Sequence, residues 1–265
     1  MPGYALRLSD DERGRYRFMA EAALRTEREH WEAAGIVEGA TVADVGCGPG
    51  AISAVLAGLV GDTGRVLSVD GDPETVAAAR ETAELAAAAN VTVTEGDAAD
   101  TGLDPGSVDA VMIRHVLAHN GGREEAIVQH AASLVRPGGS VYLVDIEGGG
   151  VHFRPSDPDV EHLGATYARW HAEQGNDLSV GLRLAELLEA AGLEVTHFEG
   201  RFQIVKAPTG MRPPGWAARD AMLASGVATA DDVARWAVAL ERLDGLEERP
   251  TLFAPLFTAS GRRPA

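Results

Sequence analysis

Between Thr41 and residue 147 the chain alternates short runs rich in Val and Ile with Ala-rich runs, and that rhythm limits the fold more than any other feature. Thr41–Val45, Arg65–Asp70, Val91–Glu95, Val108–Arg114 and residues 140–147 read as strands, each short and bounded by Gly, Pro or Asp. Residues 51–59, 73–89 and 123–134 read as helices between them. Consecutive strands joined by helical crossovers run parallel, and a parallel sheet needs cover on both faces. The predicted class is therefore α/β, a Rossmann-like doubly wound sheet. Asp72 before Pro73 predicts a helix start with an N-cap and Pro at the first helical position.

Outside that stretch the pattern changes. Residues 9–34 lack Pro and hold Tyr16, Met19, Ala23, Leu24 and Trp31 at helical spacing, with Ser9-Asp10-Asp11-Glu12 as the capping end. The rhythm breaks at Gly148-Gly149-Gly150; residues 151–176 read as helical, 178–191 as a helix stopped by Gly192, and 193–207 as a strand. Residues 208–250 hold Pro213-Pro214 and two helices near 217–224 and 230–243, and 251–260 close as a seventh strand. With no repeat and no long linker, residues 1–265 are expected to form one domain. It has an N-terminal helical segment (1–35), a core (41–147) and two insertions (148–177 and 208–250).

Charge narrows the partners. Forty acidic against 23 basic residues give a net charge of -17 and a pI near 4.8, so a nucleic-acid partner is not expected. The acid is not a tail, since residues 1–35 hold six Arg against seven Asp or Glu. A single Cys cannot form an intrachain disulfide, no basic, apolar leader precedes residue 35, and no apolar run is long enough for a bilayer. The expectation is a cytoplasmic protein with no membrane contact.

The chemistry-bearing segment follows the first strand. Asp44-Val45-Gly46-Cys47-Gly48-Pro49-Gly50 runs into a helix, and Asp70 ends strand two, 20 residues after Gly50. Glycines let a backbone turn sharply beside a ligand, and a carboxylate at Asp70 suits ribose hydroxyls. Gly46, Gly48 and Ala51 also satisfy a dinucleotide fingerprint, so an NAD-dependent oxidoreductase is one reading. Asp44 at the mouth of the loop and Pro49, which lacks an amide donor, favour a cationic or zwitterionic ligand over a diphosphate.

Val42-Ala43-Asp44-Val45-Gly46-Cys47-Gly48-Pro49-Gly50 resembles motif I of class I S-adenosylmethionine-dependent methyltransferases, near the ubiquinone/menaquinone-biosynthesis-like branch. Val69-Asp70-Gly71-Asp72-Pro73, Glu95-Gly96-Asp97-Ala98, Val108-Asp109-Ala110-Val111 and Leu134-Val135-Arg136-Pro137-Gly138-Gly139 are similar to that family's later landmarks in order and spacing. The resemblance implies a seven-stranded, mostly parallel sheet with an antiparallel last strand, and S-adenosyl-L-methionine as cofactor. It implies that Gly46, Gly48 and Gly50 pack on the methionine part and that Asp44 places its amino group. It also implies that Asp70 holds the ribose diol, that Asp97 and Ala98 meet the adenine, and that Arg114 and His115 face the methionine and the substrate. Gly71 departs from the family, which carries a bulky residue there over the adenine. The leading helix resembles one that folds over the cofactor, making Tyr16 and Arg17 contacts.

The expected activity is methyl transfer to oxygen or nitrogen of a small organic molecule, in bacterial secondary metabolism such as antibiotic biosynthesis. The alternative is a non-methylating reaction, such as cyclisation, elimination or hydrolysis, on the same cofactor. The sequence lacks Asn/Asp-Pro-Pro-Tyr, a Pro-Cys nucleophile and an acidic cluster after strand four. His115 is the candidate general base; His119 four residues on reads as packing, and no metal site is expected from these with His130. His152, His162 and His171 are pocket candidates by the position of the first insertion, with Tyr167 and Trp170 as core stripe residues. Cys47 reads as packing and Asp72 as a helix cap. A monomer or homodimer is expected.

Overall fold

The computed structural model describes the backbone of residues 10–265 and the side chains from residue 13 onward; the Ser9 cap lies outside the described residues. Five parallel strands, β1 (Thr41–Val45), β2 (Arg65–Asp70), β3 (Val91–Glu95), β4 (Val108–Arg114) and β5 (Val135–Ile146), lie in the order β3-β2-β1-β4-β5. The chain then adds β6 (His152–Arg154), β7 (Glu194–Lys206) and β8 (Thr251–Arg262). β8 runs antiparallel between β5 and β7.

The sheet has eight strands rather than the seven expected. β6 lies in a stretch read as helical and pairs Thr251, Leu252 and Phe253 of β8, beyond the point where β5 ends opposite Leu256. The edge of β8 left bare by β5 takes these three residues, a run too short to show alternation. β5 also begins earlier than expected, because Val135 pairs with Val108 before the register shifts and resumes at Ser140 opposite Ala110.

Residue parity sorts the two faces. Ala43, Val45, Val111, Ile113, Val141 and Leu143 face α4 (Glu124–Leu134) and α6 (Leu184–Ala190). Val42, Ala110, Met112, Tyr142 and Val144 face α1 (Asp10–Ala33) and α2 (Ala51–Val60) through Ala23, Trp31, Leu56 and Val60. The period of two along a strand makes this partition, and each large apolar side chain fully removed from water contributes roughly 1.5–3 kcal/mol.

Two helix ends differ from expectation. α3 (Pro73–Leu85) stops four residues before residue 89: Ala87 adopts a left-handed backbone (φ 51°) while the Ala88 and Ala87 amides donate to the Ala83 and Glu84 carbonyls. That is a Schellman closure with Ala where Gly is usual, so no glycine marked it. The expected helix 178–191 splits into a 3₁₀ turn, Val180–Arg183, and α6. Gly181 presses on the end of β5 so closely that a Cβ would lie 2.6 Å from the Ile146 carbonyl oxygen.

The two segments expected to be insertions pack on each other. α5 (Pro158–Glu173), α7 (Pro214–Ala217), α8 (Arg219–Ala224) and α9 (Ala230–Asp244) share a separate core of Leu163, Tyr167, Trp170, Met222, Trp236 and Leu240. No helix among the described residues is long and apolar enough to cross a membrane. The strand order reverses between β1 and β4, and ligand crevices of such sheets open at the carboxyl ends there.

Candidate functional site

The loop after β1 is a cradle that glycine builds, by necessity at Gly46. Gly46, Gly48 and Gly50 all have left-handed backbones (φ 72°, 54° and 79°), and a Cβ at Gly46 would lie 2.3 Å from Val116 Cγ2. A Cβ at Gly50 would stand 3.1 Å from the Ala79 Cα. The amides of the loop are committed. Gly46 and Cys47 donate to the Val69 carbonyl (2.8 and 3.1 Å), Gly48 to Asp70 Oδ2 (2.9 Å) and Gly50 to the Cys47 carbonyl (3.1 Å), while residue 49 is Pro. A pyrophosphate cradle needs free donors at these positions. What the loop presents instead is carboxylate.

Two acids line it. Asp44 is 2% exposed and accepts from the Ser53 hydroxyl at 2.6 Å, which in turn accepts from Ser68 at 2.9 Å. Burial pushes the Asp44 carboxyl up to about 6, against the Ser53 hydrogen bond and with the Asp70 charge adding. Asp70 is likewise pushed up by burial, while amide donation from Asp72 and Gly48 pulls it down. Two desolvated carboxylates side by side favour a cation between them. A cationic cofactor with vicinal hydroxyls, as S-adenosylmethionine is, fits this donor set, and a diphosphate does not.

The other cofactor candidates sort themselves around the loop. Tyr16 of α1 places its ring 3.6 Å from the Cβ position of Gly48, under the Arg15 guanidinium, whereas Arg17 faces solvent. Gly71 leaves room, since a Cβ there would meet only the Gly96 carbonyl at 3.6 Å. Asp97 accepts from the Ala99 amide and pairs with Arg123 of the segment leading into α4; these bonds hold its carboxyl below the usual range, against a desolvation cost. Ala98 packs against the sheet core. Asp72 caps α3 by accepting from Glu74 and Thr75. Cys47 is buried with Val76, Ala79 and Val93, and burial pushes its thiol up.

Arg114, expected at the methionine, turns toward α1. Its guanidinium bonds Glu27 Oε2 at 2.7 Å, and Glu27 also takes Arg201 of β7 at 3.0 Å and the Tyr142 hydroxyl at 3.2 Å. Glu27 is fully buried; desolvation raises its pKa, and the two arginines, Arg114 foremost, more than reverse that. The sequence reading missed Glu27, although an acid four residues from both Ala23 and Trp31 on the buried face of α1 was the available signal.

His115 is the strained residue of the site. It has a left-handed backbone (φ 55°), a cost of about 1–2 kcal/mol for a side chain with a Cβ, while its amide still pairs with the Val144 carbonyl at 2.8 Å. Its Nδ1 lies 3.8 Å from Oδ1 of the buried Asp145, and its Nε2 is shut from solvent without a hydrogen-bond partner among the described residues. Burial pushes its pKa below the ordinary value, with Asp145 opposing. Asp145 was also missed; a lone acid within the apolar run of β5 was its signal.

The cap meets the site at His119. Its ring lies 4.9 Å from His171 of α5, which is flanked by Tyr167 and Trp170 and pushed down to about 4 by burial. The other histidines fall elsewhere. His130 bonds Thr101, His162 accepts from Trp236 Nε1 at 3.1 Å, and His152 lies exposed on β6.

Comparison with known proteins agrees with this geometry. A family described as a methyltransferase domain matches residues 42–139. An arsenite methyltransferase of Aquipseudomonas alcaligenes is 34% identical over 118 residues, 42% of this chain and 34% of that protein. The chain spans about a third of the length of the curated relatives it matches. A SAM-dependent methyltransferase of Aquifex aeolicus shares the fold with TM-score 0.54 at 15% identity, over 96% of this chain and 98% of that one. The [4+2]-cyclase SpnF does so with TM-score 0.58 at 19% identity, over 92% and 82%. Residues 42–139 thus match a methyltransferase domain, and the chain shares the fold of S-adenosylmethionine-dependent methyltransferases.

Proposed function

We propose that the chain is a methyltransferase acting on oxygen or nitrogen of a small organic molecule, with residues 1–265 working as one domain. The observation that carries this is the loop 46–50, whose amides are all committed, Gly48 to Asp70, beside the buried Asp44. When bound, the cofactor supplies an electrophilic methyl group on a sulfonium. Asp44 receives its amino group, Asp70 its ribose diol, and Asp97 with Ala98 its adenine, across the open face at Gly71. Tyr16 closes on Gly48 from α1, the lid within residues 1–35, and Arg114 positions that lid by gripping Glu27.

His115 is the base that takes the acceptor's proton, and Asp145 on its Nδ1 side steadies the imidazolium. The cap of α5, α7, α8 and α9, with His119, His171 and Tyr167 at its contact, walls the substrate pocket within segments 148–177 and 208–250 and excludes water. The charge of -17 supports a small-molecule partner over a nucleic acid or a membrane. We place the enzyme in the cytoplasm of a bacterium, as a monomer or homodimer, in secondary metabolism.

Calorimetry tests the cofactor reading. S-adenosylhomocysteine binds and NAD does not; Asp70→Ala weakens the former about 100-fold, the range of losing a charge-assisted pair of hydrogen bonds. Equal affinity of the variant would remove the ribose from Asp70. The [4+2]-cyclase on the same fold gives the second reading, a reaction without methyl transfer. Turnover of a small acceptor with one S-adenosylhomocysteine released per product supports the first reading, and turnover without release supports the second.

A further inference from the structure

Away from the cofactor loop, the end of α1 meets the face of β7. His30 sits in the last turn of α1, and His197 and Glu199, two apart on a strand, point the same way. The two imidazole rings lie 4.2 Å apart between centroids, and His30 Nε2 is 3.9 Å from Glu199 Oε2. One ligand atom from each of the three comes within 4.8 Å of the others, and all three residues are half-buried.

A chain of hydrogen bonds sets which nitrogen of His197 is free. Glu27, ionised between two arginines, can only accept, so the Tyr142 hydroxyl donates to it. The buried Thr258 hydroxyl lies 3.1 Å from His197 Nε2, and with that hydroxyl donating to Tyr142 we assign the His197 proton to Nε2. That leaves the lone pair of His197 on Nδ1. Glu199 is oriented as well, with Oε1 toward Arg201 at 4.0 Å and Oε2 toward His30. Histidines fixed by an outer hydrogen bond, with an oriented carboxylate, are the makings of a metal site.

We propose that His30, His197 and Glu199 bind a divalent transition-metal cation of the zinc type, which clamps α1 against the sheet. Two imidazoles and one carboxylate leave a fourth position for water, and tetrahedral zinc would draw neighbouring ligand atoms to about 3.3 Å. Small side-chain rotations close the remaining gap. The clamp is independent of the cofactor reading, but α1 also carries Tyr16 and Glu27, so the metal steadies the helix that covers the cofactor loop.

The test uses the full chain, untagged and metal-free, titrated with Co2+ and followed by visible absorption. The wild type takes up one equivalent with the intense bands of a four- or five-coordinate ion, and Zn2+ displaces it. Glu199→Gln and His30→Ala, both at the rim, each weaken binding by more than tenfold. Thr258→Val, which breaks the outer hydrogen bond, weakens it roughly 10–100-fold. Circular dichroism of the metal-free variants establishes that they are folded. Absence of stoichiometric binding to the wild type overturns the proposal. So does a cobalt spectrum that survives Glu199→Gln and His30→Ala together, or one lost instead on His171→Ala, which would assign the ion to the His119–His171 pair.

Discussion

The carboxyl end of the parallel sheet and the helical cap are both well buried, yet they are built on opposite terms. Around the loop after β1, Asp44, Glu27 and Asp145 are buried acids, and His115 holds a backbone that its Cβ disfavours. In the cap the interior is Leu163, Trp170, Met222, Trp236 and Leu240, and charge stays at the edge, where Arg242 grips Asp157 and Asp159. The helix there starts on a complete capping box of Thr229 and Asp232. One region stores strain and desolvated charge, and the other supplies packing that tolerates the first.

The sharpest way to break that contrast is Trp236→Ala. Trp236 is fully buried, so its truncation costs about 3–5 kcal/mol in thermal or denaturant unfolding, while affinity for S-adenosylhomocysteine stays as in the wild type. If both fall together, cap and cofactor loop are a single cooperative unit.

Asp44→Asn should do the reverse. Asp44 has a folded pKa of about 6, above its ordinary 3.8, so the folded chain binds the extra proton. Its contribution to stability is fully present below the unfolded value and is lost as pH rises through about 6. Removing the buried charge recovers on the order of 3 kcal/mol at neutral pH, while weakening the cofactor. In the wild type, S-adenosylmethionine affinity falls up to about tenfold per pH unit below 6, and in Asp44→Asn that slope disappears. A variant no more stable than the wild type would mean that the loop stores no strain in this carboxyl.

His115→Gln is the finest of the three, because it separates binding from chemistry within one region. Turnover falls at least about 100-fold at saturating cofactor, the lower end for a lost general base, while cofactor affinity is unchanged. Since burial holds His115 below the ordinary histidine value, kcat of the wild type should fall only at pH below that value. A profile insensitive to the substitution would assign the proton to another group.

The same contrast explains which parts were legible beforehand. Gly46, Gly48, Gly50, Asp44 and Asp70 lie within 27 residues of chain, and the turn they share is local backbone geometry that residue type dictates. The cap depends on segments 158–173 and 214–244 finding each other, and amphipathic helices announce that they need a partner without naming it. Arg114 stood in a readable motif, yet its partner Glu27 is 87 residues away, and the shared pocket of Glu27, Tyr142 and Arg201 took it. α3 ended early on an alanine, where the usual glycine signal was missing.

By itself the sequence determined the doubly wound class, the two faces of the sheet and the glycine cradle, because period and φ preference are local properties of a chain. Only the tertiary structure decided that the loop amides are consumed, that His115 lies beside Asp145, and that His30 faces His197 and Glu199. Those outcomes depend on which distant groups share the scarce hydrogen bonds of a dry interior, and no spacing along the chain records that competition.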